Sequence, residues 1–262
     1  MAKLTDPANE LARLAKNLSV NSNKAGHQFL AETFGVPSSS TELAIIIGLI
    51  LERADQVARA VARSDWEDEQ KVSAIADIKG FKSAFSFPNL NKVWNTSQNV
   101  GPSLMKDHGR VITYLSDVVR KQISYPRFSE EERNELLGLI DRYMTELGEN
   151  DDTPPFVKHA ILDGLGRFRF ALATLEWGGA EYILEQFREL AQAYKWMSEQ
   201  PNAHEFNSKA ALDGLLTILR ATKEKVDAAK GWADAGGAVA KAYTVASSYV
   251  APLMIAHQVA GG

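Results

Sequence analysis

Between Thr41 and Val61 the apolar residues fall at Leu43, Ile46, Ile47, Ile50, Ala54, Val57, Ala58 and Val61. Steps of three and four residues put them on one side of an α-helix, and a strand would scatter them over both faces. Ile45, Leu49 and Leu51 widen this stripe until the first half of the helix is apolar nearly all round. That predicts burial on several sides. Glu52, Arg53, Asp55, Arg59 and Arg63 supply a polar face to the second half. The run Ser38-Ser39-Ser40-Thr41 after Pro37 offers the N-cap.

The same period governs most of the remaining chain, and sustained β-type alternation is absent. Residues 7–18 and 24–34 read as short N-terminal helices. Val111, Ile112, Leu115, Val118, Val119 and Ile123 mark a helix ended by Tyr125-Pro126. A helix from about Glu130 to Leu147 opens with a Ser129/Glu132 capping box and carries Leu136, Leu137, Ile140, Tyr143, Met144 and Leu147. Gly148 is its expected stop. Pro154 and Pro155 suit the opening of the next helix, with Val157, Ile161, Leu165, Phe168, Leu172 and Leu175 on its stripe and Trp177-Gly178-Gly179 as its end. Ile183, Phe187, Leu190, Tyr194 and Met197 define another helix, closed near Gln200-Pro201. Leu212, Leu215, Leu216, Leu219 and Val226 define one more. Residues 80–105 read as aromatic-rich turns and short helices around Phe81, Phe85, Phe87, Leu90, Val93 and Trp94.

Short connections between such helices predict an all-α, multi-helix antiparallel bundle, with a small-residue-rich C-terminal helix. One helical domain is expected over residues 1–262. If it divides, the acidic turn at 148–155 is the best place. Ala160–Leu165 (AILDGL) is echoed by Ala210–Leu215 (ALDGL after Ala210), 50 positions later. A single echo between two amphipathic helices is read as chance, since solenoids stack several units.

Composition narrows the function classes. The chain has no cysteine, which excludes disulfides, zinc–thiolate sites and thiol nucleophiles. It suits a reducing compartment, and a cytoplasmic location is expected. A net charge of -4 argues against nucleic-acid binding, which uses a basic stripe. The N-terminal residues have no apolar core, so a secretory signal is not expected.

No local catalytic motif stands out. A phosphate-binding loop and a Gly-x-Ser-x-Gly elbow are both missing. Gly164-Leu165-Gly166 follows no strand and fails as a dinucleotide fingerprint. Ser103–Lys106 matches Ser-x-x-Lys without the companion motifs. His27, His108, His159, His204 and His257 are scattered, with no helical pairing that would suit a metal. The carboxylate clusters at 65–69, 130–135 and 149–152 read as helix-end and turn charge, and Arg167, Arg169, Lys223 and Lys225 as solvated faces. The five tryptophans, Trp66, Trp94, Trp177, Trp196 and Trp232, lie at or near helix ends and read mainly as core filling. Neither a catalytic residue, a cofactor nor a metal ligand is therefore assigned.

The sharpest contrast in the sequence is Ala242–Gly262, which contains no Lys, Arg, Asp or Glu in a chain where these make up 24%. Ala240, Ala242, Ala246, Ser247 and Ala251 would let backbones approach closely. Pro252 and the polar residues weaken a membrane span. The expected function is a non-enzymatic helical interaction or scaffold protein that self-associates or docks a protein partner. Its contact residues would include Trp232, Tyr243, Tyr249, Val250, Leu253, Met254 and Ile255. The alternative is a membrane-active helical effector of a bacterial toxin or phage-defence system that uses the charge-poor C-terminal segment 236–262.

Overall fold

The computed structural model describes residues 3–97, 101–200 and 206–230. The described chain is an all-α, multi-helix fold. Its eleven helices are α1 Pro7–Leu18, α2 Gly26–Phe34, α3 Thr41–Ala62, α4 Asp68–Ser83, α5 Phe87–Leu90, α6 Gly101–Arg120, α7 Glu130–Glu149, α8 Pro155–Ala173, α9 Leu175–Gly178, α10 Ala180–Ser198 and α11 Phe206–Lys230. Two three-residue strands, β1 Lys3–Thr5 and β2 Tyr125–Arg127, pair with each other.

The chain forms two compact units. The N-terminal unit comprises Thr5–Tyr125 together with Glu176–Gly179. The described part of the C-terminal unit comprises residues 3–4, Pro126–Leu175, 180–200 and 206–230. The acidic turn at 148–155 thus lies inside the C-terminal unit.

In the N-terminal unit α6 packs on α1, α3 and α4, and α3 also packs on α1, α2 and α4. Helix starts follow side-chain chemistry. Asp6 caps α1 by accepting from the Asn9 amide at 2.9 Å, with Pro7 at the first helical position, where its missing N–H is no loss. Ser40 accepts from the Leu43 amide at 3.2 Å and opens α3. The burial on several sides expected for the start of α3 is narrower there: Leu43, Ile46 and Ile50 are buried, but Ile45 is 39% exposed and Ala44 and Gly48 are exposed.

The apolar stripe of helix α4 is blurred in the sequence by Val72 and Ala76, which lie on its exposed side. Ala74 and Ile78 are buried, while Val72 is 69% exposed. Its buried residues Ala74, Ile78 and Phe81 fall four and three residues apart on one face, which meets both α3 and α6. The irregular region is shorter than 80–105. Gly80–Ser83 complete α4, and Gly101–Met105 open α6. Between them Trp94 is fully buried, donates its indole N–H to the Leu18 carbonyl at 3.1 Å and stacks on Phe29.

The C-terminal unit is a four-helix arrangement in which α7, α8, α10 and α11 each pack on two neighbours in a closed ring, with α8 also touching α11. The Ser129/Glu132 box is present: the Glu132 amide donates to Ser129 Oγ at 3.1 Å, and the Ser129 amide to Glu132 Oε2 at 2.7 Å. Helix α7 does not stop at Gly148. It runs to Glu149, with Asn150 as its C-cap. Helix α8 ends at Ala173, before Trp177. The two glycines of the sequence echo play matching roles. A Cβ on Gly164 would stand 2.8 Å from Leu190 of α10, and one on Gly214 would stand 2.2 Å from the Tyr143 ring of α7. Each is a notch that receives a large side chain from an adjacent helix.

Candidate functional site

The residues assigned to interaction from sequence, Trp232, Tyr243, Tyr249, Val250, Leu253, Met254 and Ile255, all lie outside the described residues. So do His204 and His257. The sites described below are ones the sequence reading missed.

The first is a groove of about 470 Å³ between α3 and α4. Leu51, Asp55 and Ala58 form the α3 wall, spaced four and three residues apart on one helical face. Ile75, Ile78, Lys79, Lys82 and Ser83 form the α4 wall, and Phe85 and Ser86 close one end. Ile78 and Phe85 are buried and make an apolar base. Val72 lies on the same helical stripe as Ile75 and Lys79. Phe87, next after Ser86, is 79% exposed. Exposed apolar side chains are ordinary singly. Here Val72 and Phe87 adjoin a groove that is itself lined by aliphatic and aromatic groups.

The charge in this groove is asymmetric. Lys82 Nζ meets Asp55 Oδ1 at 2.6 Å, so this pair is internally neutral. Lys79 is exposed and has no ion pair among the described residues. The groove therefore combines an apolar base with one uncompensated positive charge on its α4 rim.

On its other flank α4 forms a second, more open pocket of about 380 Å³ with α6. Glu69, Gln70, Ser73, Ala74 and Asp77 face Val111, Tyr114 and Leu115, with Trp66 at one end. His108 Nδ1 lies 2.8 Å from Asp77 Oδ1. The His108 ring rests over the α4 backbone at Gly80, where a Cβ would stand 2.2 Å from Nε2. The nitrogen remote from Asp77 is thus packed against a helix, and His108 serves to orient Asp77.

Two further polar clusters in the N-terminal unit are structural. Asp6 is fully buried and accepts from Ser116 Oγ at 2.7 Å and Arg120 Nη2 at 3.1 Å, in addition to its cap contact. Arg53, 3% exposed, reaches Glu10 Oε2 at 3.3 Å and donates to the Trp177 carbonyl. Gly179 beside this pair has φ +87°, and a Cβ there would stand 2.6 Å from Glu10 Oε2. Asn17 donates to Glu176 at 2.8 Å and Phe34 packs on Trp177, so the segment Glu176–Gly179 is bound at several points. Pairing of these ions with protein groups suits them to hold the unit together.

In the C-terminal unit the Tyr143 hydroxyl donates to the Ala211 carbonyl. Burial, reinforced by the nearby Glu146, pushes the Tyr143 phenol well above the ordinary tyrosine range. Tyr182 and Tyr194 are raised as well, chiefly by burial. Phe156 and Trp196 form an exposed edge-to-face pair. His159 is exposed, and His27 of the N-terminal unit contacts the Leu90 carbonyl at 3.0 Å.

Among the described residues there is no group of three or more His, Asp or Glu side chains that could hold a metal. No described helix is long and apolar enough to cross a membrane. Comparison with family models, with curated proteins and with solved structures yields no match for this chain.

Proposed function

We propose that this chain is a helical protein-interaction module whose N-terminal unit seats an amphipathic helix of a protein partner in the groove between α3 and α4. The groove itself carries the reading. Its walls present Leu51, Ala58 and Ile75 over the buried Ile78 and Phe85, a surface that water covers at a cost. Helix-in-groove recognition uses apolar anchors spaced at i, i+3 or i+4 and i+7 on the incoming helix. Lys79 on the rim selects an acidic residue flanking that apolar stripe, because opposite charges across an interface steer association and fix register. Binding through this surface accords with a chain in which no local catalytic motif stands out.

The test uses two synthetic helical peptides with the same apolar stripe, one flanked by Glu and one by Lys. Each is titrated into the isotopically labelled full chain and followed by amide NMR. The Glu-flanked peptide should shift resonances at Leu51, Ile75, Ile78, Lys79 and Phe85 in a saturable way, and the Lys-flanked peptide should do so more weakly. Saturable shifts confined to other parts of the chain, or none with either peptide, would refute the proposal.

A further inference from the structure

The pocket on the α6 side of α4 has a different chemistry from the groove, and it supports a conclusion independent of the proposed docking function. Its walls include two aromatic rings, Trp66 and Tyr114, and two carboxylates, Glu69 and Asp77, with no lysine or arginine among the lining residues. Aromatic faces carry negative potential and attract cations, most effectively cations that shed water easily. Carboxylates lining the same pocket add direct charge attraction. His108 holds Asp77 in place at 2.8 Å, while Glu69 has no ion pair among the described residues. The volume of about 380 Å³ lies within the usual range for small-molecule sites.

From this combination we infer that the Trp66–Glu69–Asp77–Tyr114 pocket binds an alkylated ammonium group. Alkyl substituents on the nitrogen match the aromatic walls, and the positive charge matches the carboxylates. A hard metal ion fits less well, since it demands several oxygen ligands converging at short range. No such grouping of three or more carboxylate or imidazole side chains exists among the described residues. The ammonium can be carried by a free small molecule or by an alkylated lysine side chain, and both present the same head group.

Two probes separate these sources: choline, and a short peptide containing trimethyl-lysine. Each is titrated into the full chain while the Trp66 indole N–H is followed by NMR, the signal being assigned with a Trp66→Phe variant. A third titration uses 3,3-dimethyl-1-butanol, which has the shape of choline without its charge. A saturable shift of the Trp66 signal is expected with at least one cationic probe. Saturation with choline identifies a free ligand, and saturation with the peptide alone identifies a side chain. The neutral isostere should bind about fivefold more weakly or worse. Glu69→Gln and Tyr114→Ala should each weaken the cation by about two- to fivefold. Both positions are exposed, so the variants should retain the amide spectrum of the folded chain. Equal binding of the neutral isostere, or no saturation with either cation up to tens of millimolar, would overturn the inference.

Discussion

The two units bury different things. Among the described residues, every buried charged side chain, Asp6, Glu10 and Arg53, belongs to the N-terminal unit. The described core of the C-terminal unit is mostly aliphatic and aromatic, with hydroxyls, the Gln186 amide and the Tyr194 phenol among its buried polar groups, and only single guanidinium nitrogens of the half-buried Arg133 and Arg220. Buried ions demand particular partners at particular distances, whereas apolar contacts need only volume and shape. The N-terminal unit therefore depends on a few irreplaceable groups. The C-terminal unit depends on interlocking surfaces such as the notches at Gly164 and Gly214. Both concave sites on α4 lie in the unit held by ionic clusters.

The largest expected effect breaks the ionic side of this contrast. Arg53→Ala removes the buried Arg53–Glu10 ion pair and the contact with the Trp177 carbonyl, and should cost about 3–5 kcal/mol. Hydrogen exchange read by mass spectrometry should locate the lost protection within Thr5–Tyr125. Equal loss across α7, α8 and α10 would show that the ionic cluster is not specific to the N-terminal unit. On the packing side, Gly214→Ala drives a methyl into the Tyr143 ring and should cost about 1–3 kcal/mol in urea unfolding. Gly164→Ala should cost less, because the atom in its way is the end of a flexible leucine.

A smaller effect distinguishes the units by pH. Tyr143, Tyr182 and Tyr194 are all in the C-terminal unit, and burial raises all three in the folded chain. Their folded pKa values exceed the unfolded value of about 10, so the neutral phenols favour the native state fully below that pH. This stability is lost as pH rises above about 10, toward the folded values, because the unfolded chain then loses protons first. Region-resolved exchange at rising alkaline pH should show the C-terminal unit loosening, and Tyr143→Phe should flatten the loss. The smallest effects are expected at the groove. Val72→Ser and Lys79→Ala should change stability by less than about 0.5 kcal/mol by thermal or urea unfolding, since both side chains are exposed.

The legible parts of the fold are those fixed by local chemistry. Ser40 and the Ser129/Glu132 pair sit where caps are needed, and the stripes of α8, α10 and α11 each face one core. Helix α4 is harder to read because apolar Val72 and Ala76 are exposed while polar Lys71 and Asp77 are half-buried, which blurs the one-sided period that marks an amphipathic helix. The wide apolar run of α3 misleads in the opposite direction. Its extra residues, Ile45 among them, reach the surface instead of a second layer of core. The concave sites are invisible to a linear reading. Leu51 and Ile75, or Glu69 and Tyr114, meet only after α3, α4 and α6 have packed. A partial signal for the second site was available: Trp66 in its acidic cluster, with Glu69 and Asp77 recurring at helical spacing on α4. The clip at Glu176–Gly179 gave no sequence signal beyond two adjacent glycines.

The central claim is that Lys79 and its apolar surroundings select an acidic-flanked helix, and charge reversal tests it most directly. Peptide affinities are measured by isothermal titration calorimetry for the wild-type chain and for Lys79→Glu. The account predicts that the Glu-flanked peptide binds the wild type more tightly, and that Lys79→Glu reverses the order in favour of the Lys-flanked peptide. Unchanged affinities of both peptides for the variant would contradict it.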